Sequence, residues 1–212
     1  MDRDTAVERV QETLGFTTAH TTKIISRLQD AQVDLEKGMT LPWFLRTEIS
    51  SISTVADEER VKLPSDFLRQ WEEDPLWYYN ADAEETADVW KALIKEELET
   101  LRNDLPGTGS PQAYSLDDSY FRIFPTPDAA YVLKMIYYKA DALLTTNVEN
   151  LWLEHFPWLL IGIAGAPLAA GLRDKAAVSV FAALEAKHHA KMVVDTEARI
   201  HAGRRYVMGG PD

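Results

Sequence analysis

Residues 121–140, "FRIFPTPDAAYVLKMIYYKA", decide the fold class. Two runs of β-branched and aromatic residues flank a corner built on Pro125 and Pro127. Proline fixes φ and lacks the N–H that a sheet ladder needs, so the corner breaks the run. Just upstream, "AYSLDDSYFRIF" (113–124) predicts a hairpin turning at Asp117–Asp118, and "PTPD" joins it to a strand from Tyr131 to Lys139. A lone hairpin is marginal in water, so a sheet of three or more strands is expected.

Working outward, most of the chain reads helical. Residues 4–14 predict a short helix with Asp4 or Thr5 as N-cap and Gly15 as its stop. In residues 17–38, Ile24, Ile25, Leu28, Ala31 and Leu35 fall at helical spacing, and Gly38 is the natural stop. Residues 47–54 are crowded with Ser, Thr and Ile and read as extended chain, with Val61–Leu63 pairing back onto them. Pro64 makes "LPSDF" (63–67) a corner. A helix is expected at about 84–103, its apolar face formed by Trp90, Leu93, Ile94, Leu98 and Leu101. The Pro- and Gly-rich residues 103–111 form a loop. Then come a short helix near Asn150–His155, an apolar helix from Pro157, and a long helix from Asp174 to about Ala202. The fold expected is α+β but mainly α: a helical bundle (1–42 and 145–203) with a small antiparallel β module and an acidic helix inserted at about 43–144. Residues 204–212 follow as a tail of this single domain.

Composition narrows the function. A fold of 212 residues buries roughly 70% of its unfolded surface, enough for a sizeable core. The absence of cysteine excludes disulfides, thiolate zinc sites and thiol nucleophiles. "MDRDTAVERV" is charged from its second residue and does not read as a signal peptide. The uncharged stretch 156–172 is shorter than the ~20 residues of a membrane span and holds two prolines and three glycines, so it reads as a buried core helix. A net charge of −12 argues against a protein that coats nucleic acid. Residues 57–104 carry fifteen acidic against six basic residues, whereas 173–212 carry five against seven. These are either two solvated faces or complementary faces that meet between copies.

Catalytic signatures are sparse. There is no phosphate loop, no dinucleotide glycine motif and no nucleophile elbow. Glu185-Ala-Lys-His188 puts a carboxylate and an imidazole on one helical face, but a di-iron site needs a second such motif, which is missing. His189 and His201 read as solvent-facing. Glu72 and Glu73, among aromatics in "WEEDPLW" (71–77), are the candidates for an acid pair in a peptidoglycan-cleaving virion enzyme, the alternative function. "WYY" (77–79) and "IYYK" (136–139) offer base-stacking platforms but little interleaved positive charge, so core or subunit contacts explain them better.

Taken in order, "RLQDAQVDLEKGMTLPWFL" (27–45), "VKLPSDFL" (61–68), "YFRIFPTPDAAYVLKMIYYKADALLTTNVENLW" (120–152) and "FPWLLIGIAGAPLAAGL" (156–172) resemble the head-to-tail adaptor proteins of tailed bacteriophages. In that family a strand ending in Pro-x-Pro, a strand ending in paired tyrosines, a Leu-Thr-Thr-Asn link to a Trp, and an apolar helix occur together. The resemblance spans roughly residues 20–185 and lapses across 71–111. It implies a virion protein at the head–tail interface, assembled in the host cytoplasm as a dodecameric ring beneath the portal protein. It also implies a downstream tail or nozzle protein as partner, DNA passing through the channel without sequence-specific binding, and no catalysis, cofactor or membrane. Within this reading, Arg204, Arg205, Tyr206, Val207 and Met208 are the candidates for contact with the portal or a neighbouring copy.

Overall fold

Asp2, rather than Asp4 or Thr5, caps the first helix: its Oδ1 accepts the Thr5 N–H at 2.8 Å, and hydrogen bonding from the Thr5 side chain first, then from this N–H, holds the Asp2 carboxyl below its usual pKa. The computed structural model describes residues 1–16, 20–71, 76–80, 90–145 and 149–202. In chain order the helices are α1 (Arg3–Leu14), α2 (Thr21–Glu36), α3 (Leu98–Asp104), α4 (Leu151–His155), α5 (Pro157–Gly171) and α6 (Lys175–Ala202). The strands are β1 (Arg46–Ser53), β2 (Arg60–Lys62), β3 (Phe67–Gln70), β4 (Leu76–Tyr79), β5 (Trp90–Ala92), β6 (Ile94–Lys95), β7 (Thr108–Gly109), β8 (Ala113–Asp117), β9 (Tyr120–Phe124), β10 (Thr126–Pro127) and β11 (Val132–Lys139). The chain divides into two units: Met1–Leu45 with the residues from Ala140 onward, and Arg46–Lys139.

The first unit is helical and built around α5. That helix is apolar on nearly every side, so it must be enclosed, and Leu159, Leu160, Ile161, Ala164, Leu168 and Ala169 are buried. Ile24 and Leu28 of α2, Val7 and Val10 of α1, and Trp152 of α4 complete the core. Glycines let α6 approach closely: a Cβ at Gly162 would lie 2.7 Å from the Glu185 backbone nitrogen, and one at Gly165 would run into the Phe181 ring. Asp174 caps α6 by accepting the N–H groups of Ala176 and Ala177 at 3.0 Å each. A 3-10 turn at Trp43–Leu45 is clamped to α6: Trp43 Nε1 donates to Asp195 Oδ2 at 2.9 Å, and the Arg199 guanidinium lies 3.8 Å from the indole centroid.

The second unit centres on two larger sheets that share one core. The five-stranded sheet runs β1-β11-β4-β5, with β3 also pairing β11; the four-stranded sheet runs β2-β9-β8-β6. Along β11 every second residue faces inward, so Leu133, Met135 and Tyr137 join Phe121 and Ile123 of β9, Tyr114 of β8, and Leu76 and Tyr78 of β4. On the other face of β9, Phe124 packs with Leu101 of α3 and Ala113. Arg122, also on that face and buried, pairs with Asp117 at 2.6 Å and with Glu59, and the Asp117 bond raises its pKa.

This arrangement corrects the expected fold class. The β part is not a small module in a mainly helical protein; it is a unit of its own, with sheets of five, four and two strands. The two runs of residues 121–140 do not pair with each other: the proline corner carries the chain from the four-stranded sheet to the five-stranded one, while β10 pairs with β7 in parallel. The hairpin upstream is present, with β8 and β9 in antiparallel register. β1 pairs with β11, and β2 with β9, so residues 46–53 and 60–62 do not pair back on each other. Of the helix expected at 84–103, residues 84–89 lie outside the described residues, Leu98–Asp104 is helical, and Trp90–Ala92 and Ile94–Lys95 form β5 and β6. Helix-forming composition gives way there to pairing with β4 and β8, an override of local propensity by tertiary contacts. Gly38 is not the left-handed stop of α2, which ends at Lys37 in ordinary right-handed geometry. At Gly15, φ is 64°, and glycine holds the left-handed stop of α1.

Candidate functional site

Three constellations stand out. The first is a buried polar cluster that anchors the irregular link after β11. Glu36, at the end of α2, accepts through Oε1 from Gln32 Nε2 at 2.9 Å, from Trp152 Nε1 at 3.0 Å and from the Asp141 N–H at 3.2 Å. Asn150 Nδ2 donates to the Ala142 carbonyl at 2.8 Å and to Gln32 Oε1 at 3.2 Å, while Asn150 Oδ1 caps α4 through Leu153 N. Asp141 Oδ2 accepts from Leu151 N at 2.6 Å. Every contact to the Glu36 carboxylate is a donor, which suits a structural anchor. Sequence reading missed this cluster, although a signal existed: Gln32 and Glu36 continue the Ile24–Leu28 stripe at i+4 spacing, polar residues on a buried face.

The second is the outer face of the five-stranded sheet. Lys134 of β11 places its Nζ 4.9 Å from both the Trp77 and the Trp90 ring centroids, and Trp90 meets Tyr79 edge-on at 5.5 Å. Arg46 lies 4.7 Å over Trp71, which also packs on Tyr138. Lys134 thus reaches the Trp77 ring of "WYY" from the neighbouring strand β11, and these cations already occupy faces of Trp71, Trp77 and Trp90. Aromatic side chains and arginine are enriched at protein contacts, whereas lysine is depleted there.

The third is a groove of about 420 Å³ in the helical unit, lined by Asp34 and Leu35 of α2, Ile163 of α5, and Glu185, His189 and Met192 of α6, among others. Half-buried Ile163 forms part of its wall. On the adjoining turn of α6, burial and the charges of Lys187 and Lys191 lower the pKa of His188. Glu185 and His188 gather no partners for a metal: among the described residues, no cluster of three or more His, Cys, Asp or Glu could hold one. Glu72 and Glu73 lie outside the described residues, as do Arg204, Arg205, Tyr206, Val207 and Met208 and the side chain of His201. Among the described residues no helix is long and apolar enough to cross a membrane.

No curated protein matches the chain. The family model described as SU10 adaptor protein matches residues 1–206, nearly the whole chain. With nearly the whole chain matched, the chain belongs to the SU10 adaptor protein family, structural proteins of the phage head–tail junction.

Proposed function

We propose that this adaptor assembles as a closed ring of copies, a dodecamer, beneath the portal. There it extends the DNA channel and provides the platform on which the next tail or nozzle protein attaches, without catalysis. The family match over residues 1–206 carries the reading. The charge distribution supports it: a head-to-tail ring needs two different, complementary faces on each protomer, and the acidic 57–104 segment and basic 173–212 segment supply opposite signs. A net charge of −12 also suits a channel wall past which DNA slides without sticking. Assembly takes place in the host cytoplasm, and Arg204, Arg205, Tyr206, Val207 and Met208 contact the portal or a neighbouring copy.

The test is to mix purified chain with purified portal at moderate salt and count copies by native mass spectrometry. A ring of many copies on the portal is expected; no binding would overturn the reading. Glu72→Gln with Glu73→Gln addresses catalysis: wall-lytic activity in the wild type that vanishes in this variant would replace the adaptor role with hydrolysis.

A further inference from the structure

We infer that the groove between α2, α5 and α6 is the receptor for residues 204–208 of a neighbouring copy. The inference rests on the ring reading and names one of its contacts. The groove's chemistry defines the occupant: Leu35, Ile163 and Met192 give an apolar floor and wall, and Asp34 and Glu185 stand on its rim. Among the described residues neither carboxylate has an ion-pair partner. A fitting segment therefore carries two cations next to apolar side chains of moderate size. "RRYVM" (204–208) is such a segment, with two guanidinium groups for the two carboxylates and Tyr-Val-Met for the floor. The groove's volume lies within the range that encloses a few side chains or a small ligand.

Reach decides between the chain's own tail and a neighbour's. Arg205 lies three residues beyond Ala202, at most about 11 Å of extended backbone. Glu185 sits seventeen residues back along α6, roughly 25 Å at 1.5 Å per residue. Even fully doubled back, the chain's own arginines fall short of that carboxylate. A second copy has no such limit, and a tail entering a groove elsewhere on its neighbour is the non-identical contact from which a ring closes.

The experiment uses a fluorescent peptide of residues 203–212 and dilute full-length protein, read by fluorescence polarisation. Saturable binding is expected. Asp34→Lys with Glu185→Lys, both surface changes verified for folding by circular dichroism, should weaken it about tenfold or more. A peptide carrying Arg204→Glu and Arg205→Glu should lose binding to the wild type and recover it on the reversed protein. No saturable binding, or equal binding by wild type and reversed protein, overturns the inference. Rings that form on portals while the peptide fails to bind leave the ring reading standing and remove this contact. Peptide binding by a chain that forms no ring supports the groove and overturns the ring.

Discussion

Replacing Gly162 by alanine tests the α5–α6 packing by the sign of its effect. In an open helix interior, Gly→Ala stabilises by about 0.5–1 kcal/mol, because glycine loses the most backbone freedom on folding. At Gly162 the added Cβ would lie 2.7 Å from Glu185 N, 3.0 Å from Phe181 O and 3.1 Å from Glu185 Cα. These are main-chain atoms of α6, so no side chain can swing aside and the helices must separate. Overpacking of this kind costs about 1–3 kcal/mol. Setting the propensity gain against it leaves a net loss centred on about 1 kcal/mol and no more than about 2.5 kcal/mol, or a Tm lower by roughly 2–4 °C at the centre of that range for a chain of this size. Urea and thermal melts followed by circular dichroism provide the assay. Gly171→Ala is the control: nothing lies within 4 Å of its Cβ position, so its Tm should hold or rise. A Gly162→Ala variant as stable as wild type, or more so, would mean that α5 and α6 do not pack this closely, and the reasoning fails.

Other outcomes follow from the same geometry. Glu36→Ala takes the acceptor from the Trp152 indole N–H and the Asp141 N–H and should cost about 2–4 kcal/mol, whereas Glu36→Gln keeps an acceptor at Oε1 and should cost about 1 kcal/mol, both read from urea melts. Burial first, and then the hydrogen bond to Asp66, push the Tyr137 pKa up to about 12 from 10.0. The folded state holds this proton more tightly than the unfolded chain, so its contribution is complete below pH 10 and is lost as pH rises from there to about 12. Tyr137→Phe should therefore show a shallower alkaline loss of stability than the wild type, and parallel curves would contradict the burial. Deleting residues 204–212 should leave the Tm nearly unchanged and sharply weaken attachment to portals; equal loading would show that the tail has no docking role.

Helices were legible where one residue type dominates a whole face or a cap. α5 is apolar throughout, Gly15 stops α1, and Asn150 and Asp174 stand where side-chain caps are favourable. The sheets were less legible for physical reasons. β6, β7 and β10 are two residues long, too short for alternation to register. β5 takes its conformation from Trp77 and Tyr79 across the ladder rather than from its own Trp-Lys-Ala. The partner of β1 lies some ninety residues away in β11, and no local pattern in Ser- and Ile-rich residues 46–53 points to it. The cation–aromatic face was hidden likewise, since Lys134 meets Trp77 only through strand register.

The buried polar cluster explains why an adaptor keeps hydrophilic residues in a helical core. Residues 140–143, just after β11, have no regular structure of their own, and their backbone groups still need partners where they are removed from water. Helix α2 presents two side chains one turn apart that meet this demand: Gln32 donates to the Asp141 carbonyl at 3.2 Å, and Glu36 accepts the Asp141 N–H. Trp152 supplies a large apolar surface to the core, yet its indole N–H would be orphaned there without Glu36. Asn150 does three tasks with one amide, capping α4, holding the Ala142 carbonyl and fixing the orientation of Gln32. An apolar pair at positions 32 and 36 would pack comparably but leave Asp141 N, the Asp141 carbonyl and Trp152 Nε1 without partners, at about 1–3 kcal/mol for each. The "RLQDAQVDLEKG" and "ADALLTTNVENLW" stretches, far apart in sequence, thus depend on each other through this cluster. A change on one side is expected to be tolerated only when the other side changes with it, which a double-mutant cycle between Gln32 and Asn150 would register as a coupling of about 0.5–3 kcal/mol.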